Sequence, residues 1–103
     1  MSTTWLMVRA VVADAADRPR FDAWYAAEHL PDAHRAFGAS RARRCWSRTD
    51  PSVHCAFYEF PDAATAEAAI GSPALRDLVA EFDRVWGNRV TRTRELLELA
   101  GEI

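Results

Sequence analysis

Alternation opens the chain. Thr4 to Val12, TWLMVRAVV, sets Leu6, Val8, Ala10 and Val12 on one side and Trp5, Met7, Arg9 and Val11 on the other, the period-two pattern of a strand. Both sides are largely apolar, so a layer of helices over one leaves the other still to be covered. Val53 to Phe60, VHCAFYEF, repeats the situation with His54, Ala56, Tyr58 and Phe60 against Val53, Cys55, Phe57 and Glu59. Ser40 to Thr49 comes before it, and Asp50-Pro51-Ser52 between them reads as a turn. The two segments predict an antiparallel hairpin.

Elsewhere the period becomes helical. Asp17 is placed to cap a helix with Pro19 in its first turn, and Pro31 ends or kinks that helix at Leu30. Phe21, Trp24, Tyr25 and Glu28 form one stripe, with His29 in the last turn on the inward side. Asp62 starts a second helical stretch to Ile70, Gly71 breaks it and Ser72-Pro73 restarts it. Leu75, Leu78, Val79, Phe82, Val85 and Trp86 then make an apolar stripe opposed by Arg76, Asp77, Glu81, Asp83 and Arg84, with Gly87 as terminator. Asn88 to Leu99 supplies a last strand, although its ELLELA end also suits a short helix.

Strand, helix, strand, strand, helix, strand predicts an α+β fold of the ferredoxin-like βαββαβ kind, a four-stranded antiparallel sheet with two helices on one face. The uncovered face, holding some mixture of Trp5, Met7, Val11, Trp46 and Phe57, would be a large exposed apolar patch. Two sheets packed face to face across a two-fold axis remove it, so a homodimer is expected.

Composition sharpens this in three ways. A chain of 103 residues, 50% hydrophobic and 27% charged, suits one domain over residues 1–103, and a net charge of -2 argues against nucleic-acid binding. The first fifteen residues lack a basic region before their apolar run and meet Arg9 and Asp14 early, so no export signal and no membrane span are expected, and the protein reads as cytoplasmic. All thirteen basic residues are arginine, which rules out lysine Schiff-base chemistry, and the two cysteines, Cys45 and Cys55, are expected as buried free thiols nearly opposite each other across the hairpin.

The candidate chemistry lies in AWYAAEHLPDAH, residues 23 to 34. His29 is the expected general base or acid, since imidazole titrates near neutrality and a helix C-terminus favours its protonated form. Tyr25, one turn earlier, is expected to orient a substrate through its hydroxyl, with Trp24 and Trp5 as aromatic walls. Arg9 is a candidate pocket cation, because burial in an apolar strand would demand a partner, and Trp46 and Phe57 complete the expected substrate-binding set. His29 and His34 are five apart with a proline between them, which points them in different directions, so no metal site is expected; no phosphate loop or nucleotide fingerprint implies a cofactor.

FDAWYAAEHLPDA resembles the first-helix signature of the dimeric α+β barrel superfamily, especially its EthD-like branch, where a Tyr, three residues and a His close to a Pro follow the first strand. SPALRDLVAEFDRVW is similar to that superfamily's second helix. The resemblance implies a barrel pocket between sheet and helices that takes a small apolar, often aromatic ligand. It also implies one of several activities: cofactor-independent monooxygenase, polyketide cyclase or isomerase, with His29 as the proton-transfer residue, or a non-catalytic ligand-binding or accessory role. Fold does not choose between them.

Overall fold

The computed structural model describes residues 2–103. Strand β1 (Thr4–Val12) leads to a helical segment made of α1 (Arg18–Trp24), a π-helical turn (Tyr25–His29) and α2 (Leu30–Phe37). The hairpin β2 (Arg41–Trp46) and β3 (Val53–Phe60) follows, then α3 (Ala63–Ile70), α4 (Pro73–Trp86) and β4 (Val90–Glu98). The four strands form one sheet in the order β2-β3-β1-β4, with every neighbouring pair antiparallel. This is the ferredoxin-like arrangement expected from the element order, with the helices on one face. The ELLELA stretch stays in the sheet as far as Glu98.

Alternation decides which side of each strand meets the helices. Leu6, Ala10 and Val12 on β1 and His54, Ala56, Tyr58 and Phe60 on β3 are buried under them, together with Phe21, Tyr25, Phe82 and Trp86 from the helices. Each large apolar side chain so enclosed contributes roughly 1.5–3 kcal/mol. The opposite, open face carries Trp5, Met7, Arg9, Cys55, Phe57 and Glu59, none of them fully buried.

Several local expectations are corrected. The first helix does not stop at Pro31 but runs on to Phe37, where Gly38 at φ 63° ends it. The amide of Leu30 donates to the Tyr25 carbonyl five residues back, so the turn is wider than α-helical, and Pro31 enters the first turn of α2, where a missing N–H costs little. The extra residue rotates Glu28 into solvent and His29 inward, so His29 sits mid-helix rather than at a C-terminus. Asp17 stands at the N-cap position of α1 but makes no capping bond with its side chain: Asp14 accepts from the Ala16 amide in the turn before it, while the carboxylate of Asp17 is buried and bonded to Arg89. The thiols also differ from expectation, Cys45 being exposed and Cys55 half-buried on the open face. Trp46 lies on the helix side of β2, not on the open face, since both it and Arg44 donate to Asp22 of α1, at 2.8 and 2.7 Å.

Candidate functional site

The π-helical turn, α4 and β4 enclose a cleft over the helix side of the sheet. His29 and Phe82 stand on its helix side, Leu6, Val8, Arg92 and Arg94 on its sheet side, and the space it encloses is about 30 Å³. Its remaining lining, Phe37, Leu75, Leu78 and Val79, is apolar. The lining suits an apolar ligand with a few polar groups, and the enclosed space, about one water's worth, widens before one enters.

His29 is 9% exposed and is held by rings: it stacks on Trp24 at 4.7 Å and 19°, and meets Tyr25 at 4.9 Å and Phe82 at 5.6 Å edge-on. Burial first, and the Arg92 cation second, hold its pKa down at about 4. The expectation of a helix end favouring the protonated imidazole is therefore reversed, and at neutral pH this ring is an uncharged proton acceptor. Arg92 stands over the Phe82 ring at 3.9 Å and reaches Asp83 at 3.2 Å, its side chain only 16% exposed.

Tyr25 sits deeper. Its hydroxyl lies 3.3 Å from that of Tyr58, one donating to the other, and burial pushes its pKa up to about 12. Burial raises Tyr58 as well, so both phenols stay protonated. Behind them His54 is wholly buried against Phe21, Tyr25 and Trp46, with Nε2 3.4 Å from Nη1 of Arg44. A guanidinium only donates, so Nε2 accepts and the ring proton belongs on Nδ1, which is buried without a partner among the described residues. Burial, and then Arg44, also hold His54 down at about 4.

The residues singled out from sequence thus separate into two groups. His29, Tyr25 and Trp24 come together beside the cleft, and Trp46 joins the same aromatic layer through Phe21 and His54. Trp5, Arg9 and Phe57 are on the far side of the sheet. Arg9 is exposed, which removes the burial argument for it, and Trp5 donates to its cross-strand partner Glu59 at 3.2 Å. The cleft cation is Arg92 instead, which sequence reasoning missed. Its signal was present: Val90, Arg92, Arg94 and Leu96 alternate along the last strand, setting two cations among apolar inward positions.

No protein-family profile and no curated protein sequence matches the chain. Solved structures do. The chain superposes on SnoaB, a cofactor-independent oxygenase from Streptomyces nogalater (mutant N63A), with TM-score 0.72 and 14% identity over 100% of this chain and 98% of that one. A dimeric ferredoxin-like protein from an uncultured marine organism gives 0.70 and 18% identity over 100% of both chains. An ethyl tert-butyl ether D (EthD) family protein from Bacillus halodurans gives 0.66 and 13% identity over 92% and 97%. The chain has the fold of the dimeric α+β barrel proteins, an EthD protein among them.

Proposed function

We propose that this protein binds a small aromatic, polyketide-like molecule in the cleft beside His29 and catalyses a proton transfer on it that leads, without a cofactor, to oxygenation, cyclisation or isomerisation. The observation that carries this reading is the pairing of an uncharged, buried imidazole with the partly buried Arg92 guanidinium in one apolar cleft. A ligand carrying an acidic hydroxyl gives its proton to His29 and leaves its oxyanion beside Arg92. That oxyanion offsets the cation that disfavours a protonated His29, so the base strengthens as the ligand ionises. Phe82 supplies ring surface for the ligand, while Trp24, stacked on the imidazole rather than lining the cleft, and Tyr25 brace His29 from behind. The fold itself does not choose among the three; oxygenation is the one tested first, because SnoaB, which shares the fold, is a cofactor-independent oxygenase.

The same reading includes a homodimer. The open face exposes part of Trp5, Met7, Phe57 and Leu97, which a second copy packed sheet to sheet would cover, in keeping with the fold shared with a dimeric ferredoxin-like protein.

A second reading, a ligand-binding or accessory protein without catalysis, is favoured by one fact: a pKa of about 4 makes free His29 a weak base. The test is a hydroxyanthrone offered under air, with quinone formation followed by absorbance and binding by tryptophan fluorescence. Proton transfer by His29 predicts that His29→Asn lowers kcat by roughly 100-fold or more while Kd moves by less than about threefold. Saturable binding with no rate above the buffer background would remove the oxygenase alternative and favour the accessory reading. Absence of both would remove the cleft as the site for this ligand class.

A further inference from the structure

The open face of the sheet holds a second constellation, independent of the cleft. Cys45 and Cys55 are direct cross-strand partners, and both are free. Two residues towards the loop, the Ser47 amide donates to the Val53 carbonyl. By the alternation of the ladder, Cys45 and Cys55 then form a hydrogen-bonded pair, with Cα atoms about 5.5 Å apart. That falls within the span a disulfide bridges, though the side chains of such a pair stand slightly wider than a relaxed disulfide prefers. A bond made there is one that reduces readily.

The neighbours of the pair are cations. Arg9 is the β1 partner of Cys55, completing a row Cys45–Cys55–Arg9 across the sheet. Arg43 is two positions along β2 on the same face, its side chain 63% exposed and 3.8 Å from Glu59. Cys45 opens onto a surface groove shared with Trp5, Arg43 and Phe57. The row lies at a corner of the sheet, since β2 is an edge strand and the hairpin loop begins two residues on. Guanidinium groups there draw in anions.

We propose that Cys45 and Cys55 form a thiol–disulfide exchange site that takes small acidic disulfides and closes into a reversible cross-strand bond. The exposed Cys45 thiolate attacks one sulfur of the incoming disulfide, forming a mixed disulfide and releasing the first small thiolate. Cys55 then gives its proton to water and its sulfur attacks Sγ of Cys45, closing the protein disulfide and releasing the second. Two protein thiols are oxidised and one small disulfide is reduced to two thiols. Burial and the adjacent Cys45 raise the Cys55 pKa, which suits it to the second step, where the partner is already held in place. The proposed dimer covers this same face, so exchange takes place on the free monomer and is expected to be faster in dilute than in concentrated protein.

The experiment is intact mass spectrometry of the purified protein after incubation with oxidised glutathione at neutral pH, at a concentration where sedimentation shows monomer. The wild type is expected to lose the mass of two hydrogens and both titratable thiols, reversibly with dithiothreitol. Cys55→Ser is expected to stop at the mixed disulfide, gaining one glutathionyl group on Cys45, and Cys45→Ser to react at least about tenfold more slowly. Arg9→Gln with Arg43→Gln should slow the reaction severalfold with oxidised glutathione and leave it unchanged with the uncharged 2-hydroxyethyl disulfide. A wild type that keeps both thiols, stops at the mixed disulfide or links two chains covalently would overturn the proposal. Equal slowing with both reagents would overturn the choice of acidic disulfides.

Discussion

Phe57 and Tyr58 are adjacent aromatic residues on one strand, yet they belong to different environments. Tyr58 is 1% exposed, bonded to Tyr25 and edge-on to Phe37, whereas Phe57 lies half-open among Met7 and Arg43 on the other face. The whole sheet divides in this way. One face is sealed by rings and neutral histidines, the other alternates aromatic, thiol and guanidinium groups. Side-chain type along a strand thus says that both faces are structured, and only the packing elements say which is the interior.

The largest expected effect follows directly. Tyr58→Ala opens a cavity under α2 and orphans the Tyr25 hydroxyl, costing about 3–5 kcal/mol in urea unfolding. Phe57→Ala at the neighbouring position should cost under about 1 kcal/mol in dilute protein. Equal losses would mean that the open face is as tightly packed as the other, and the contrast between the faces would collapse.

The same contrast explains what could be read from the chain. β1 and β3 begin and end at the residues that alternation marks, and the stripe of α4 packs as its periodicity requires. Periodicity is a property of local covalent geometry, so it survives without tertiary information. The π-helical turn was not legible, because a single widened turn leaves no compositional trace and Pro31 reads as a stop unless the carbonyls before it find other donors. His29 stands out by its residue type, while its mid-helix, buried setting depends on that one turn and on the helix continuing past it. Residue type, and for Arg9 its apolar strand, point Trp5, Arg9 and Phe57 towards a pocket, whereas alternation puts all three on the side of the sheet away from the cleft. Arg92 went unnoticed because thirteen arginines make any one of them look like surface.

Acid should sharpen the comparison, because both perturbed histidines belong to the sealed face. His29 and His54 have folded pKa values of about 4, below the ordinary 6.5, chiefly through burial. Between those values the unfolded chain binds more protons than the folded one, so this stability is complete above about pH 6.5 and is lost as pH falls towards 4. The groups around them set the size of the effect: Arg92 opposes protonation of His29 while Asp32 and Glu81 favour it, and Arg44 opposes that of His54 while Asp22 favours it. At about 1.4 kcal/mol per unit, each histidine accounts for roughly 2–3 kcal/mol between neutral pH and about pH 4.5. Urea midpoints across that range should fall steeply in the wild type and less so in His29→Gln and in His54→Gln. A slope unchanged by both substitutions would show that the histidines are solvated.

The smallest effect tests the open face by a different route. Phe57→Ala removes a ring that one chain leaves half in water, so its cost to the isolated chain is slight, and only a partner subunit gives the ring full burial. Dimerisation stabilises the folded state by mass action, so the wild-type Tm should climb with protein concentration. Sedimentation should show the population shifting from monomer to dimer over the same range. In Phe57→Ala the climb should flatten while the Tm of the most dilute sample stays within a few degrees of wild type, about what 1 kcal/mol shifts in a chain this size. A wild-type Tm independent of concentration, with monomer throughout, would mean that the open face stays in water and that its aromatic and guanidinium groups serve only the groove beside Cys45.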